Sequence, residues 1–303
     1  MEREIRVLLS LYGKAPFLTE QLESLERQTY KNFNITVRAD DANDSSIDQC
    51  KSIFPSVEVC TCIKGNIGIN ESYLHLLSHA RDKEFVSFCD QDDVWLDLKL
   101  MELQRAIGEG GEPRLSSGQA IILGSKLLLQ PKSFSPSREK SIFENYLLGS
   151  NILINDSAVK LLLSNPPPIG IVYDDWLQFL VQFFGKVSFL QKPLMLYRIH
   201  KYNATGAPYR SCNKLIGAYK FWKNIESADA RILKKMQFLH DTGEAFFLSG
   251  IYESDSQRSR VNYINLRRIK FEAFQFKAKT TLFILYQLKI FVATFFMNLR
   301  RRV

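Results

Sequence analysis

Phe85-Val86-Ser87-Phe88-Cys89-Asp90-Gln91-Asp92-Asp93-Val94-Trp95 is an apolar run that stops at three carboxylates. The apolar part reads as a buried strand. Asp90 and Asp92 are two residues apart, and in extended backbone that spacing turns both side chains the same way. Two carboxylates converging at the end of a buried strand repel each other and are costly to desolvate. A divalent cation removes both costs. Mg²⁺ typically takes one or two protein carboxylates and fills its shell with water and substrate phosphates. The stretch therefore predicts a metal that holds a diphosphate.

Upstream of it, residues 6–11 read as a first buried strand, closed by Gly13. Pro16 suits a helix start, and Leu18, Leu22 and Leu25 mark a helical face. Residues 34–39 form a second strand ending at Asp40-Asp41. A helix over 45–54, a strand over 57–63, a loop at 64–68 and a helix over 71–80 lead back to the quoted run. Strands alternating with helices at short spacing predict a parallel α/β sheet. In such sheets the ligand lies beyond the carboxyl ends of the strands. The polar clusters Asp40/Asp41, Asn66 to Asn70 and Asp90/Asp92/Asp93 fall at those ends.

Downstream, the pattern predicts a helix over 95–107 and one or two strands over 120–129. A polar loop at 132–140 follows, then a short strand over 152–154 after Gly149-Ser150-Asn151. A helix is expected over 176–184, with two strands over 187–190 and 194–197. Past about residue 210 the pattern turns helical, with main candidates at 215–247 and 261–276. The expected organisation is an α/β domain over residues 1–210 and a C-terminal helical region over 211–303.

Five cysteines, an odd number irregularly spaced, form no disulfide framework and point to a reducing compartment. Cys60 and Cys62 show no metal partner in the nearby sequence. His75 and His79 have metal-pair spacing on a helix but no evident third ligand, and read as surface or packing residues. The start Met1-Glu2-Arg3-Glu4 runs into an apolar strand and reads as lacking a secretory signal.

Net charge is +8, unevenly spread. Residues 256–303 carry 11 Lys/Arg and one acidic residue, while the rest sums to −2. The segment 282–299 is apolar and aromatic, and Arg300-Arg301-Arg302 trails it. That combination fits a helix lying in an anionic membrane interface. A spanning helix or a packing helix, including one that joins two copies as a homodimer, are the alternatives. Nucleic acid is not the expected partner, because the basic residues adjoin a strongly apolar segment. The expected location is cytoplasmic, peripheral at the inner face of the cell membrane.

Several pieces stand in order along residues 5–206: Val7 to Gly13, Glu20 to Leu25, Gln28 to Phe33, Asp40-Asp41, Asn66-Ile67-Gly68 and Asp90 to Trp95. Later come Gly149-Ser150-Asn151, Tyr173-Asp174-Asp175-Trp176-Leu177 and Tyr197-Arg198-Ile199-His200. In this ordered set the chain resembles the inverting glycosyltransferase family 2 of the GT-A fold, in its rhamnosyltransferase-like branch. Two departures stand out. Ala42-Asn43 replaces the usual Gly-Ser pair, and Tyr173 replaces the usual His.

The resemblance implies a Rossmann-like nucleotide-diphospho-sugar transferase domain that uses Mg²⁺ or Mn²⁺. Its donor would be a dTDP- or UDP-sugar, and its acceptor a glycan or lipid-linked glycan. Asp40 or Asp41 would accept the imide N–H of the base, or simply close the strand in a turn. Asn66 and Gly68 would approach the nucleotide, or else form a turn, with Asn70 capping the next helix. Asp90 would meet the ribose or share the metal with Asp92, and His200 would complete the shell or lie in a surface loop. Arg198 would contact phosphate. Asp93 reads equally as a helix cap or a site residue. Gly149-Ser150-Asn151 would line the acceptor pocket or form a tight turn. Asp174, with Asp175 as the alternate, would take the acceptor proton or cap a helix. The other function class open to the sequence is a non-catalytic sugar-nucleotide or glycan-binding subunit of a membrane-associated assembly.

Overall fold

The computed structural model describes residues 3–40, 44–60, 65–80, 85–123, 128–129, 137–200, 230–239, 241–242, 252–253 and 260–261. The chain divides into two units, Met1–Lys234 and Lys235–Val303.

In the first unit, three strand–helix repeats open the fold: β1 (Ile5–Tyr12), α1 (Leu18–Glu26), β2 (Phe33–Asp40), α2 (Asp44–Ile53), β3 (Glu58–Cys60) and α3 (Ile69–Leu77). Then come β4 (Phe85–Asp90), β5 (Val94–Trp95), α4 (Lys99–Ile107), β6 (Arg114–Leu123), β7 (Leu128–Leu129) and α5 (Arg138–Phe143). A 3₁₀ turn at Gly149–Asn151 leads into β8 (Ile152–Ile154), α6 (Asp156–Ser164), α7 (Tyr173–Phe184) and β9 (Lys186–Arg198).

The strands form one sheet in the order β3-β2-β1-β4-β8-β6-β9-β5, with β7 on β6. β1 pairs in parallel with both β2 and β4. Its apolar residues Val7, Leu8, Leu9 and Leu11 are fully enclosed, as expected of a strand covered on both faces. Arg6, also enclosed, spans this edge by donating to Thr36 Oγ1 at 3.1 Å and pairing with Glu58 at 2.8 Å. The chain runs outward from β1 to β3 and returns to the other flank of β1 as β4. The strand order therefore switches direction between β1 and β4, and the crevice beyond such a switch is where ligands bind.

The other half departs from the parallel sheet expected from sequence. β8 is antiparallel to both β4 and β6, β6 and β9 are parallel, and β5 is antiparallel to β9. Residues 187–197 form part of one strand rather than two. Pro193 is accommodated where the β6 register shifts around Gln119, since proline is tolerated in sheets at bulges. The expected helix over 95–107 starts only at Lys99. Trp95 pairs with Met195 instead, and its backbone N–H donates to Ser24 Oγ at 3.0 Å. The third strand is described over Glu58–Cys60.

Residues 230–239 are helical, and in the second unit Tyr252–Glu253 pairs antiparallel with Arg260–Val261. Among the described residues no helix is long and apolar enough to cross a membrane. The expected helix over 261–276 and the apolar segment 282–299 lie outside the described residues, apart from Val261 itself, which is in the strand pair.

Candidate functional site

A cleft of about 530 Å³ opens at the carboxyl ends of β1 and β4. Ser10 and Tyr12 reach it from β1, and Asp90, Gln91 and Asp92 from β4 and the turn after it. Gln91 locks that turn to β1: its amide donates to Tyr12 O at 2.9 Å and accepts from Tyr12 N at 2.7 Å. Opposite sheet directions fill the far wall. Because β8 runs against β4, the 3₁₀ turn entering β8 lies beside the end of β4, and Gly149 and Ser150 line the cleft. The start of α7 adds Tyr173 and Asp174, and the turn before α3 adds Asn66 and Gly68.

Asp90 is held from α3. Tyr73 Oη donates to Asp90 Oδ1 at 2.7 Å and to Cys89 O at 2.9 Å. Burial, and then the neighbouring Asp92 carboxylate, push the Asp90 pKa up to about 6; Asp174 adds to the rise. Asp92 Oδ2 lies 2.7 Å from His200 Nε2. This pairing follows from topology, since β9 lies beside β5 and so brings its carboxyl end to the Asp92 turn. The Asp90 and Asp92 carboxylates, both opening on the cleft, are the oxygen donors that a hard divalent cation takes. Asp90 and Asp92 would hold it, with His200 engaging Asp92 from the side; among the described residues the three are not gathered as one ligand group.

Asp93 points away from the cleft and is fully enclosed. It accepts from Ser150 Oγ at 2.7 Å and from the backbone N–H of Arg198 at 3.0 Å. Burial raises its pKa, and the Asp90 charge raises it further. Lys99 Nζ donates to Ser150 O and lies 3.5 Å from the centroid of the Trp95 ring. Burial lowers the Lys99 pKa. Asp93 is therefore neither a helix cap nor a cleft ligand: it ties the β4 turn to the β8 entry and to the end of β9.

Asp174 and Asp175 both sit in the first turn of α7 and diverge. Asp174 lines the cleft, and burial pushes its pKa up to about 6. Asp175 is turned inward, where it accepts from Gln178 Nε2 at 3.2 Å and pairs with Arg231 at 3.3 Å. Tyr173 stacks against Tyr73 at 4.5 Å and Phe88 at 5.0 Å, joining the two walls through aromatic contact. Gly149 permits this arrangement, since a Cβ there would lie 2.2 Å from Tyr173 Oη.

The remaining expected residues divide. Asn66 accepts from Gly68 N at 2.9 Å, and Gly68, with φ of 84°, caps α3. Asn70 does not cap its own helix. It donates to Ile171 O at 2.7 Å and accepts from Tyr173 N at 2.9 Å, joining α3 to the start of α7. Arg198 directs its guanidinium to Asp92 O at 2.8 Å and to Glu20, and stacks over Phe17 at 4.2 Å, so it braces the Asp92 turn from behind. Asn151 turns from the cleft to donate to Gly118 O at 2.7 Å. Asp40 ends β2, while Asp41 and the Asp40 side chain lie outside the described residues. Sequence reasoning missed Tyr73, Gln91 and Lys99, which read there as helix or turn residues. It also missed that Cys60 comes close to His75 and His79.

Residues 7–118 match the family model "Glycosyl transferase family 2". The chain is 26% identical over 167 residues to the amylovoran biosynthesis glycosyltransferase AmsB of Erwinia amylovora, covering 51% of this chain and 54% of that protein. It is 22% identical over 215 residues to the dTDP-rhamnosyl transferase RfbG of Shigella flexneri, covering 66% and 74%. The match thus spans about half the length of AmsB. In three dimensions it resembles residues 1–349 of S. aureus TarS in complex with UDP-GlcNAc. The TM-score is 0.55 at 17% identity, with 69% of this chain and 62% of that one covered. That likeness is one of fold.

Proposed function

We propose that this chain, whose residues 7–118 match the glycosyl transferase family 2 model, is a member of that family with the GT-A fold, and that it transfers a sugar with inversion from a nucleoside diphosphate to a glycan or lipid-linked glycan hydroxyl. The observation that carries this reading is that Asp90, Asp92 and Asp174 line one cleft at the β1/β4 switch point.

In this reading the diphosphate lies against Asp90 and Asp92, with His200 steadying Asp92. When bound there, Mg²⁺ or Mn²⁺ would neutralise charge on the departing diphosphate. Asn66, Gly68 and Ser10 border the nucleotide end, and Asp40 or Asp41 at the end of β2 reads the base. Asp174 accepts the acceptor O–H proton as the acceptor oxygen bonds to the anomeric carbon. The bond from that carbon to the diphosphate oxygen breaks, and its electron pair leaves with the diphosphate. A carboxylate with pKa near 6 is largely ionised at neutral pH yet basic enough to share the proton in the transition state. Asp175, engaged by Arg231 and Gln178, orients the helix start that carries Asp174. Arg198 positions the Asp92 turn.

The name of RfbG favours a dTDP-sugar with rhamnose transferred, and that of AmsB favours polysaccharide synthesis at the cell surface; a UDP-hexose is the alternative donor of this reading. The +10 segment 256–303 fits recruitment to anionic lipid, where the acceptor would reside.

The test is transfer and donor binding by Asp174→Asn and Asp92→Ala. For Asp174→Asn, donor affinity should persist while transfer falls about 10²–10⁴-fold. Asp92→Ala should weaken donor binding in Mn²⁺. A protein that only binds glycan or nucleotide sugar would show no transfer in the unaltered chain and no loss from Asp174→Asn.

A further inference from the structure

At the edge of the sheet away from the cleft, Cys60, His75 and His79 each place a ligand atom within 4.8 Å of the others. Cys60 ends β3, His75 lies in the last turn of α3, and His79 follows that helix. None of the three lines the nucleotide cleft. From this geometry we propose a second metal site, specific for a thiolate- and imidazole-preferring divalent ion such as Zn²⁺.

Three observations carry it. First, Cys60 Sγ lies 3.6 Å from His79 Nε2. Zinc bonds of about 2.3 Å to sulfur and about 2.05 Å to nitrogen at a tetrahedral angle set a sulfur–nitrogen separation of about 3.6 Å. Second, the other nitrogen of His79 is already committed. Nδ1 lies 2.9 Å from His75 O, and a carbonyl only accepts, so Nδ1 carries the proton. Nε2 is therefore the lone-pair nitrogen; the sulfur lies 3.6 Å from it and 3.7 Å from Nδ1, so the ring must turn on binding to aim that lone pair at an ion shared with the sulfur. A carbonyl partner that fixes the tautomer in this way is the usual second shell of a metal-binding histidine. Third, His75 Nε2 is enclosed with no hydrogen-bond partner among the described residues. Buried polar atoms of this kind are uncommon and call for an explanation such as a bound ion. The His75 and His79 rings stand edge to face at 5.0 Å.

The donor chemistry separates this site from the one in the cleft. Thiolate and imidazole select zinc, copper, nickel or cobalt, whereas carboxylates suit Mg²⁺ and Mn²⁺. A metal here would staple β3 to α3, the helix that delivers Tyr73 to Asp90. It would also close the segment between Cys60 and His75 as a loop. The site is thus structural, and it stands or falls independently of the transfer reaction.

The test is Co²⁺ titration of the chelator-stripped full chain. One equivalent should give a sulfur-to-cobalt charge-transfer band and strong d–d bands of a four-coordinate ion, both bleached by Zn²⁺ but not by excess Mg²⁺. Cys60→Ser should abolish the charge-transfer band. His75→Gln and His79→Gln should weaken Co²⁺ at least as much as the ~10–100-fold typical of losing an outer-shell partner. Asp92→Asn should leave the spectrum intact. Circular dichroism of each variant checks that the loss is not unfolding. Absence of the charge-transfer band in the unaltered chain, or its survival in folded Cys60→Ser, would overturn the proposal.

Discussion

Tyr73 and Asp90 meet through a 2.7 Å hydrogen bond that couples α3 to the end of β4. The phenol supplies a donor to a carboxylate that is crowded by Asp92 at the wall of the cleft. Tyr73→Phe removes that donor while keeping the ring contacts with Phe88 and Tyr173. Asp90 should then titrate above its already raised value. Mn²⁺ affinity in the cleft should fall about tenfold, and stability should drop by about 1 kcal/mol. Isothermal titration with Mn²⁺ and urea denaturation read the two effects separately.

Stability should fall as pH rises in the absence of divalent ions. Asp90 and Asp174 both have folded-state values raised from 3.8 to about 6 by burial. Between those values the folded chain binds more protons than the unfolded one, so the free energy of unfolding declines with increasing pH. The melting temperature in a chelator should therefore drop between about pH 4 and pH 7, all else being equal, and Mn²⁺ should restore part of it at pH 7. Asp90→Asn should flatten the profile.

The same raised value at Asp174 has a kinetic signature. In the proposed role of proton acceptor it must be ionised, so kcat/KM should climb through pH 6 and level off above it. Asp175→Asn, by contrast, should leave the midpoint of that limb in place. Its cost should appear as a lower melting temperature, because the substitution removes the carboxylate charge facing Arg231. A shifted midpoint in Asp175→Asn would reverse the assignment of the two residues.

Gly149→Ala should be damaging for a purely steric reason. The added methyl would lie 2.2 Å from Tyr173 Oη, well inside contact distance. Overpacking of this kind costs about 1–3 kcal/mol. Tyr173→Phe in the same chain deletes the nearest atom and should recover part of the loss, although the ring carbon behind it is still only 2.9 Å away. A double-mutant cycle on thermal stability measures the coupling.

Asp93 offers the opposite case, a buried carboxylate with two partners to disappoint. Asp93→Ala leaves the Ser150 hydroxyl and the Arg198 N–H without their acceptor, for a loss of about 1–3 kcal/mol at each. Asp93→Asn retains an acceptor oxygen and should lose less. Guanidinium unfolding of both variants ranks them.

The half of the sheet from β1 to β4 was readable because its strands are mainly apolar or alternating and end at polar clusters. Asp90, Asp92, Asn66, Gly68 and Asp174 converge on the cleft; the spacing of Asp90 and Asp92 and the strand-end position of Asn66 and Gly68 had physical meaning along the chain, whereas Asp174 was indicated by the family resemblance. The mixed half was harder. Trp95 looked helical because apolar spacing continues from it into α4, and only its pairing with Met195, a hundred residues away, makes it a strand. Residues 187–197 read as two strands because Gln191, Lys192 and Leu194 are extra residues bulged from β9 against a continuous β6. Tyr73 is one more aromatic on a helical face until β4 is laid beside it. Cys60 and His79 meet across 19 residues of chain, a juxtaposition that no local periodicity encodes.

The carboxamide of Asn70 reaches both Ile171 O and Tyr173 N, bridging two segments about a hundred positions apart. It fixes the gap between α3, which carries Tyr73 to Asp90, and α7, which carries Asp174 to the cleft. Exchanging either helix alone with that of another transferase would break this spacer. Grafts meant to change acceptor choice should therefore carry residues 66–77 and 169–178 together, as a matched cassette.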